Sequence, residues 1–300
     1  MAAPSIVPGE TRIGWIGTGV MGASMVGHLI DAGFQATVYS RTRDKAEPVL
    51  AKGAEWADSP KAVAEASDVI FAIVGFPSDV REVMLGEDGA LAGSKPGNVL
   101  VDMTTSEPSL AIEIHEAARA QDVHSVDAPV SGGDVGAKNG TLSIMIGGDD
   151  EVVQALQPCW DAMGGTIVHQ GGAGAGQHTK MVNQICATGI IQSLAEAINF
   201  SSAAGLDGKK VLDVISCGSA ASWQMGSRGG PMLRKEFNAP GTVGLLNKDL
   251  AICLAEADRM GIDLPVAEMV KGFYGEIVDD GEAGSDAAIL IQHLAKPKSP

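Results

Sequence analysis

Lys180, Asn183 and Gln184 stand three and four residues apart, so on a helix they share one face. A lysine set against an apolar pocket loses basicity and can exchange a proton near neutral pH. A lysine on a wet helix face is only a solvated charge, which is the commoner case. Gly174 and Gly176 precede this group and let something pack closely there. A second candidate is Gly17-Thr18-Gly19-Val20-Met21-Gly22, which has the spacing G-x-G-x-x-G. It follows a strand-like run and opens a helical one. In that context Gly17 permits a tight turn, Gly19 lets a pyrophosphate approach the backbone, and Gly22 lets helix and strand pack closely. The N–H groups at the helix start attract phosphate. The letters alone also suit a structural turn, so the flanking strand and helix carry the dinucleotide reading.

An acid about twenty residues beyond the glycines would read a ribose 2′-hydroxyl. Here the chain gives Tyr39-Ser40-Arg41-Thr42-Arg43, with no acid until Asp44. A cation beside a hydroxyl suits a 2′-phosphate, so NADP is expected over NAD, with NAD still possible. The alternative is that Arg41 and Arg43 are solvated loop charges. In Asp127-Ala128-Pro129-Val130-Ser131-Gly132-Gly133, a Ser-Gly-Gly turn after a strand offers N–H groups and a hydroxyl to a carboxylate. An ordinary tight loop fits equally well. Lys248-Asp249 reads either as a site pair or as an exposed pair at a helix start.

The elements that would position these groups fall into two halves. In the first, Arg12–Ile16, Ala36–Tyr39, Val69–Val74, Asn98–Asp102, Val123–Asp127, Thr141–Ile146 and Thr166–His169 read as strands. Helical patterns at Val20–Ile30, from Ser59-Pro60, at Glu107–Ala120 and at Asp150–Met163 alternate with them. That order predicts a Rossmann-type α/β domain, a mostly parallel doubly wound sheet, over residues 10–172. Beyond the glycine run 171–176 no strand-like run follows. A helix over 177–204, then Lys209–Ser216, Leu245–Met260, Pro265–Asp279 and Asp286–Lys296, predicts an all-α domain over 173–300, joined by the long helix. The last residues, Pro297–Pro300, are expected to fray.

Composition excludes several classes. The 21 basic and 37 acidic residues give a net charge of −16, which disfavours nucleic acid and anionic membranes as partners. No apolar run reaches spanning length. Cys159, Cys186, Cys217 and Cys253 form no C-x-x-C pair and no metal-ligand spacing with histidine. Buried free thiols and no metal are therefore expected. The start of the chain lacks the marks of a signal or transit peptide, so a cytoplasmic protein is expected, with an organelle left open.

Taken together, several motifs carry a resemblance. Gly17 to Gly22 with Met25, Asp102-Met103-Thr104-Thr105, Asp127 to Gly133, Gly140-Thr141-Leu142, Gly174 to Gly176 with Lys180 and Asn183, and Lys248-Asp249-Leu250 occur in order. The chain resembles the β-hydroxyacid dehydrogenases from about residue 12 to about residue 295, most closely the 3-hydroxyisobutyrate dehydrogenase-like branch. The resemblance implies that Lys180 is the general acid and base, and that Ser131, Gly132 and Gly133 hold the substrate carboxylate. It implies that Asn183, with Gln184 beside it, orients substrate. It implies cofactor contacts at Gly17, Thr18, Gly19, Val20, Met21, Gly22, Ser40, Arg41, Thr42, Val74, Gly75, Val80, Thr104, Thr105 and Lys248. A homodimer or homotetramer is also implied.

The chain departs from the family pattern in places. Val74-Gly75 stands where Leu-Pro is usual, and Thr104-Thr105 replaces Ser-Thr. The second paired amide is Gln184. Trp223–Val243, with Arg228, matches least well and is expected to line the pocket for the substrate side chain. The expected activity is NADP(H)-linked interconversion of a small β-hydroxy acid and its semialdehyde or keto acid. The sequence also admits three rivals. A 6-phosphogluconate dehydrogenase-like enzyme usually has a longer helical half. An imine reductase generally lacks the lysine. A non-catalytic NADP-binding sensor would need neither the lysine nor the carboxylate loop.

Overall fold

The computed structural model describes residues 3–238 and 241–295. Packing divides the chain into two compact units, Met1–Lys180 and Met181–Pro300. Among its described residues the first unit has nine strands: β1 (Arg12–Ile16), β2 (Gln35–Tyr39), β3 (Glu55–Trp56), β4 (Val69–Ala72), β5 (Val99–Asp102), β6 (His124–Asp127), β7 (Val130–Ser131), β8 (Leu142–Gly148) and β9 (Gly164–Gly171). They lie in the order β3-β2-β1-β4-β5-β6-β8-β7, with β9 also paired to β8. The strands from β3 through β6 are parallel. The far edge is mixed, because β8 runs antiparallel to β6 and β7 and parallel to β9.

Alternation along the strands explains the two layers. Ile13, Trp15, Val69, Phe71, Val99 and Val101 join one apolar core. Ile16, Ile70, Ala72 and Leu100, at the intervening positions, join another. Successive side chains of a strand point to opposite faces, so both faces of this sheet are covered. The helix Gly22–Asp31 supplies Met25, Val26 and Leu29 to the first core. The helices Pro60–Glu65, Pro77–Leu85 and Pro108–Arg119 supply Val63, Val80, Leu110 and Ile114 to the second. Ser59 caps its helix as its sequence predicts, accepting from the Ala62 N–H at 3.1 Å.

Several boundaries differ from expectation for physical reasons. The first helix opens at Gly22 and leaves Val20 and Met21 in the turn. The helix expected over Asp150–Met163 is two helices, Asp150–Ala155 and Gln157–Met163. Pro158 cannot donate to the carbonyl of Gln154 and fits only the first turn of a new helix. The strand at Val69 ends at Ala72, where its ladders to Ile16 and Asp102 end.

The second unit is helical among its described residues apart from one isolated bridge, Thr242 to Asp286. The long helix Ala175–Ala203 begins in the first unit and continues into the second. Its residues Ile191, Leu194, Ala195 and Ile198 pack with Met225, Val243, Leu250, Val270, Tyr274 and Ile277. These come from the helices Trp223–Arg234, Val243–Met260 and Pro265–Asp279. The last expected helix is a short 3₁₀ turn, Ala287–Ile289, followed by Leu290–Leu294. Lys296 and the expected fray at Pro297–Pro300 lie outside the described residues. No described helix is long and apolar enough to cross a membrane.

Candidate active site

Strand register sets the first part of the site. Ile16 pairs with Tyr39 and with Ala72, Ala72 with Asp102, and Asp102 with Asp127. The parallel strands therefore end in one row, and the segments after them emerge at one edge. That edge carries Gly17 to Gly22, Ser40 to Thr42, Val74 and Gly75, Thr104 and Thr105, and the run toward Ser131. The order reverses direction beside β1, and open sheets of this kind bind ligands outside such carboxyl ends.

The glycine turn is shaped partly by the protein and partly by space left over. Gly17 has φ +98°, and its N–H donates to the Tyr39 carbonyl at 2.8 Å. A Cβ there would stand 2.1 Å from the Ile73 carbonyl oxygen, and one at Gly22 would stand 2.0 Å from that of Gly17. These two glycines answer to backbone crowding. Gly19 does not, because a Cβ there would meet nothing within 4 Å. The buried Thr18 hydroxyl has no hydrogen-bond partner among the described residues, and no side chain caps the helix at Met21. A helix start with no side-chain cap, an orphan hydroxyl and an open glycine fits a dinucleotide diphosphate.

Along the same edge Val20 is exposed, Met21 and Ser40 are half-buried, and Arg41 and Thr42 are exposed. The Arg41 guanidinium donates to Asp79 at 2.9 Å. Gly75 and Thr105 are half-buried. The buried Thr104 accepts from the Val74 N–H at 3.0 Å, and its own N–H donates to Asp102 at 2.9 Å. Val80 differs from the others. It is fully buried in the core and has no exposed surface to offer a ligand.

The segment after β6 departs from the expected loop. Val130 and Ser131 form a two-residue strand against Ile144 and Ser143, and Gly133 opens the helix Gly133–Asn139. Gly132 and Gly133 take φ +131° and +63°, which a side chain would resist. Lys180 is only 6% exposed, and its Nζ donates to the Val130 carbonyl at 2.8 Å. The first unit thus brings the lysine ammonium to the residue before Ser131. The Asp127 carboxylate, also buried, accepts from the N–H groups of Gly174 and Gln177 at 2.7 and 2.8 Å. Burial pushes its pKa above the usual carboxylate range, against the pull of those backbone bonds. Asp127 lies within a sequence motif, but nothing local to it in the chain announces these partners.

The second unit carries the remaining candidates in one polar chain. Asn183 donates to the Gln184 side-chain carbonyl at 2.8 Å, and Gln184 donates to Asp249 at 2.5 Å. Lys248 Nζ lies 3.0 Å from the other Asp249 oxygen. Lys248 and Asp249 are both largely buried, so of the two readings the exposed helix-start pair fails. Arg228, from the stretch expected at the substrate pocket, makes a two-point pair with buried Asp286, at 3.2 and 3.0 Å. No cluster of metal-ligating side chains occurs among the described residues.

Two family models match this chain, one over each half. Residues 12–172 match the family model described as the NAD binding domain of 6-phosphogluconate dehydrogenase. Residues 174–294 match the model described as NAD-binding of NADP-dependent 3-hydroxyisobutyrate dehydrogenase. A probable mitochondrial 3-hydroxyisobutyrate dehydrogenase-like protein of Arabidopsis thaliana is 49% identical over 95% of this chain and 86% of its own. The 2-hydroxy-3-oxopropionate reductase of Escherichia coli is 35% identical over 94% of this chain and 97% of its own. The solved 3-hydroxyisobutyrate dehydrogenase of Mycobacterium tuberculosis, with L-serine, has a TM-score of 0.86 at 27% identity, covering 95% of this chain and 99% of that one. With a dinucleotide edge in its sheet and these relatives along nearly its whole length, the chain belongs to the β-hydroxyacid dehydrogenase family, in its 3-hydroxyisobutyrate dehydrogenase-like branch, and is an NAD(P)-dependent oxidoreductase acting on CH–OH groups.

Proposed function

We propose that the enzyme prefers NADP(H) and interconverts a small β-hydroxy acid with its semialdehyde or keto acid, with Lys180 as general acid and base. The substrate class is that of 3-hydroxyisobutyrate, tartronate semialdehyde, glyoxylate or succinic semialdehyde. One observation carries this reading: the buried Lys180 ammonium, 2.8 Å from the Val130 carbonyl and next in the chain to Ser131-Gly132-Gly133. The nicotinamide, when bound, supplies or accepts the hydride. In reduction Lys180 gives its proton to the forming alkoxide oxygen, and in oxidation it takes the hydroxyl proton. Such transfer contributes roughly 10²–10⁴-fold in rate. Ser131, Gly132 and Gly133 hold the substrate carboxylate, which fixes the reacting carbon in place. Asn183 and Gln184 restrict its orientation, and the Asp249–Lys248 pair holds their amides.

The preference for NADP(H) is supported by Arg41 and Thr42 after β2, where the chain gives no acid before Asp44 to accept from a 2′-hydroxyl. The second-half family model, described for an NADP-dependent enzyme, points the same way. The first-half model, described for 6-phosphogluconate dehydrogenase, keeps that enzyme as the rival reading. The second half nonetheless matches the hydroxyisobutyrate model. We also propose that the chain forms a homodimer or homotetramer. Apolar Phe200, Leu206, Val214 and Trp223 are exposed in the second unit and suit such contacts.

The test follows loss of NADPH absorbance with a panel of small semialdehydes, glyoxylate and 6-phosphogluconate-type sugar acids. In Lys180→Ala, kcat with the best substrate should fall by about two to four decades while NADPH still binds. Near-normal turnover in a folded Lys180→Ala variant would remove Lys180 from the chemistry.

A further inference from the structure

Asp127 is a buried carboxylate to which the proposed chemistry gives no task. An ion in that position is costly unless it is fully hydrogen-bonded. Its oxygens are spent on the Gly174 and Gln177 N–H groups, at the start of the helix that carries Lys180. The early N–H groups of a helix have no partner within it, and a negative charge there is favoured by the helix dipole. Only a carboxylate offers an acceptor to each of two N–H groups without presenting a donor to either.

The surroundings are shaped around this group. A Cβ at Gly147 would stand 2.6 Å from Asp127 Oδ1, and one at Gly176 would stand 2.8 Å from Oδ2 and 2.6 Å from the Asp127 carbonyl oxygen. Both glycines clear the space the carboxylate occupies. The two segments are then laced at two points. Asp127 holds Gln177, and three residues further along each segment the Val130 carbonyl accepts from Lys180.

We infer that Asp127 is a positioning residue: its carboxylate fixes the start of the long helix so that Lys180 Nζ meets the Val130–Gly133 segment. This rests on the role proposed for Lys180. Burial pushes the Asp127 pKa up, so the fold tolerates this charge at a cost that the backbone bonds offset. A displacement of the order of 1 Å at a reacting group costs about 10²-fold in rate.

The test is a double-mutant cycle of Asp127→Asn and Lys180→Ala, with folding checked by circular dichroism and thermal melting. The isosteric amide keeps one acceptor and turns a donor toward an N–H group. Asp127→Asn should lower kcat by roughly 10–100-fold and leave the Kd for NADPH unchanged. Added to Lys180→Ala it should lower the residual rate no further, because its effect acts through the lysine. A wild-type kcat in folded Asp127→Asn overturns the inference, and so does a full additional loss in the double variant. If Asp127→Asn does not accumulate folded, Asp127→Ser replaces it in the same cycle and is read the same way, since serine keeps one helix-capping acceptor. Failure of the Lys180 reading is seen separately, as retained turnover in the single Lys180→Ala variant.

Discussion

The Arg41 guanidinium donates to the Asp79 carboxylate, Nη1 to Oδ1, at 2.9 Å. The other Asp79 oxygen accepts from the Phe76 N–H at 3.0 Å, which fixes the acid at the first turn of the helix Pro77–Leu85. Most of the arginine remains in solvent: its side chain is 72% exposed. One donor is anchored, and the others of the five that a guanidinium carries are available to a phosphate. An ion pair this exposed adds under about 1 kcal/mol to stability, so its larger consequence is where it holds the cation.

Arg41→Ala should therefore melt close to wild type and change cofactor choice. A charge-assisted hydrogen bond contributes about 1.5–3 kcal/mol. The ratio of kcat/KM for NADPH to that for NADH should fall by about tenfold or more. Steady-state kinetics with both cofactors measures it. An unchanged ratio would show that the 2′-phosphate is read elsewhere.

Gly19 and Gly22 should separate binding from folding. Gly22→Ala drives a Cβ to 2.0 Å from the Gly17 carbonyl oxygen and 2.9 Å from Ile73 Cγ2. A backbone carbonyl cannot step aside as a side-chain tip can, so a loss of roughly 1–3 kcal/mol is expected. Gly19→Ala meets no protein atom within 4 Å. It should keep its melting temperature yet lose NADPH affinity, because the methyl fills the approach to the helix start. Melting curves with and without NADPH measure both effects. Wild-type NADPH affinity in Gly19→Ala would mean that the open space there is not where the diphosphate lies.

What the sequence made legible is local or periodic. Val69–Ala72 and the run Val99-Leu100-Val101 stand out because a strand buried on both faces is almost entirely apolar. The glycine turn is legible because its three glycines fall within six consecutive residues. Glu55–Trp56 and Val130–Ser131 are two-residue strands, too short to leave a period. Pro158 marks the helix break, but the apolar pattern runs across it. The site's supports were hidden by distance along the chain. Asp127 meets Gly174 and Gln177 across 47 and 50 residues, and Gln184 meets Asp249 across 65. Nothing in the neighbourhood of Arg228 announces Asp286, 58 residues on, as its partner. Pairings of this kind depend on the tertiary fold, and pattern reading does not reach them.

The four thiols, expected to be buried as a set, divide into two pairs. Cys186 and Cys217 are exposed, and Cys159 and Cys253 are buried. Burial pushes the Cys159 pKa up to about 12, so almost none of it is thiolate near pH 8. Cys253 Sγ donates to Met181 Sδ at 3.4 Å, and its burial shields it from reagents. Thiolate is the reactive form, and only an exposed thiol meets the reagent in the folded protein. A chromogenic disulfide reagent at pH 8 should therefore titrate two thiols in the native protein and all four after unfolding. The buried pair should react no faster than the protein opens. Raising the pH to about 9.5 should leave Cys159 silent, because that pH still lies well below its raised pKa. Rapid native-state labelling at Cys159, located by mass spectrometry of the digest, would show that the core around Trp160 and Met163 is open to solvent.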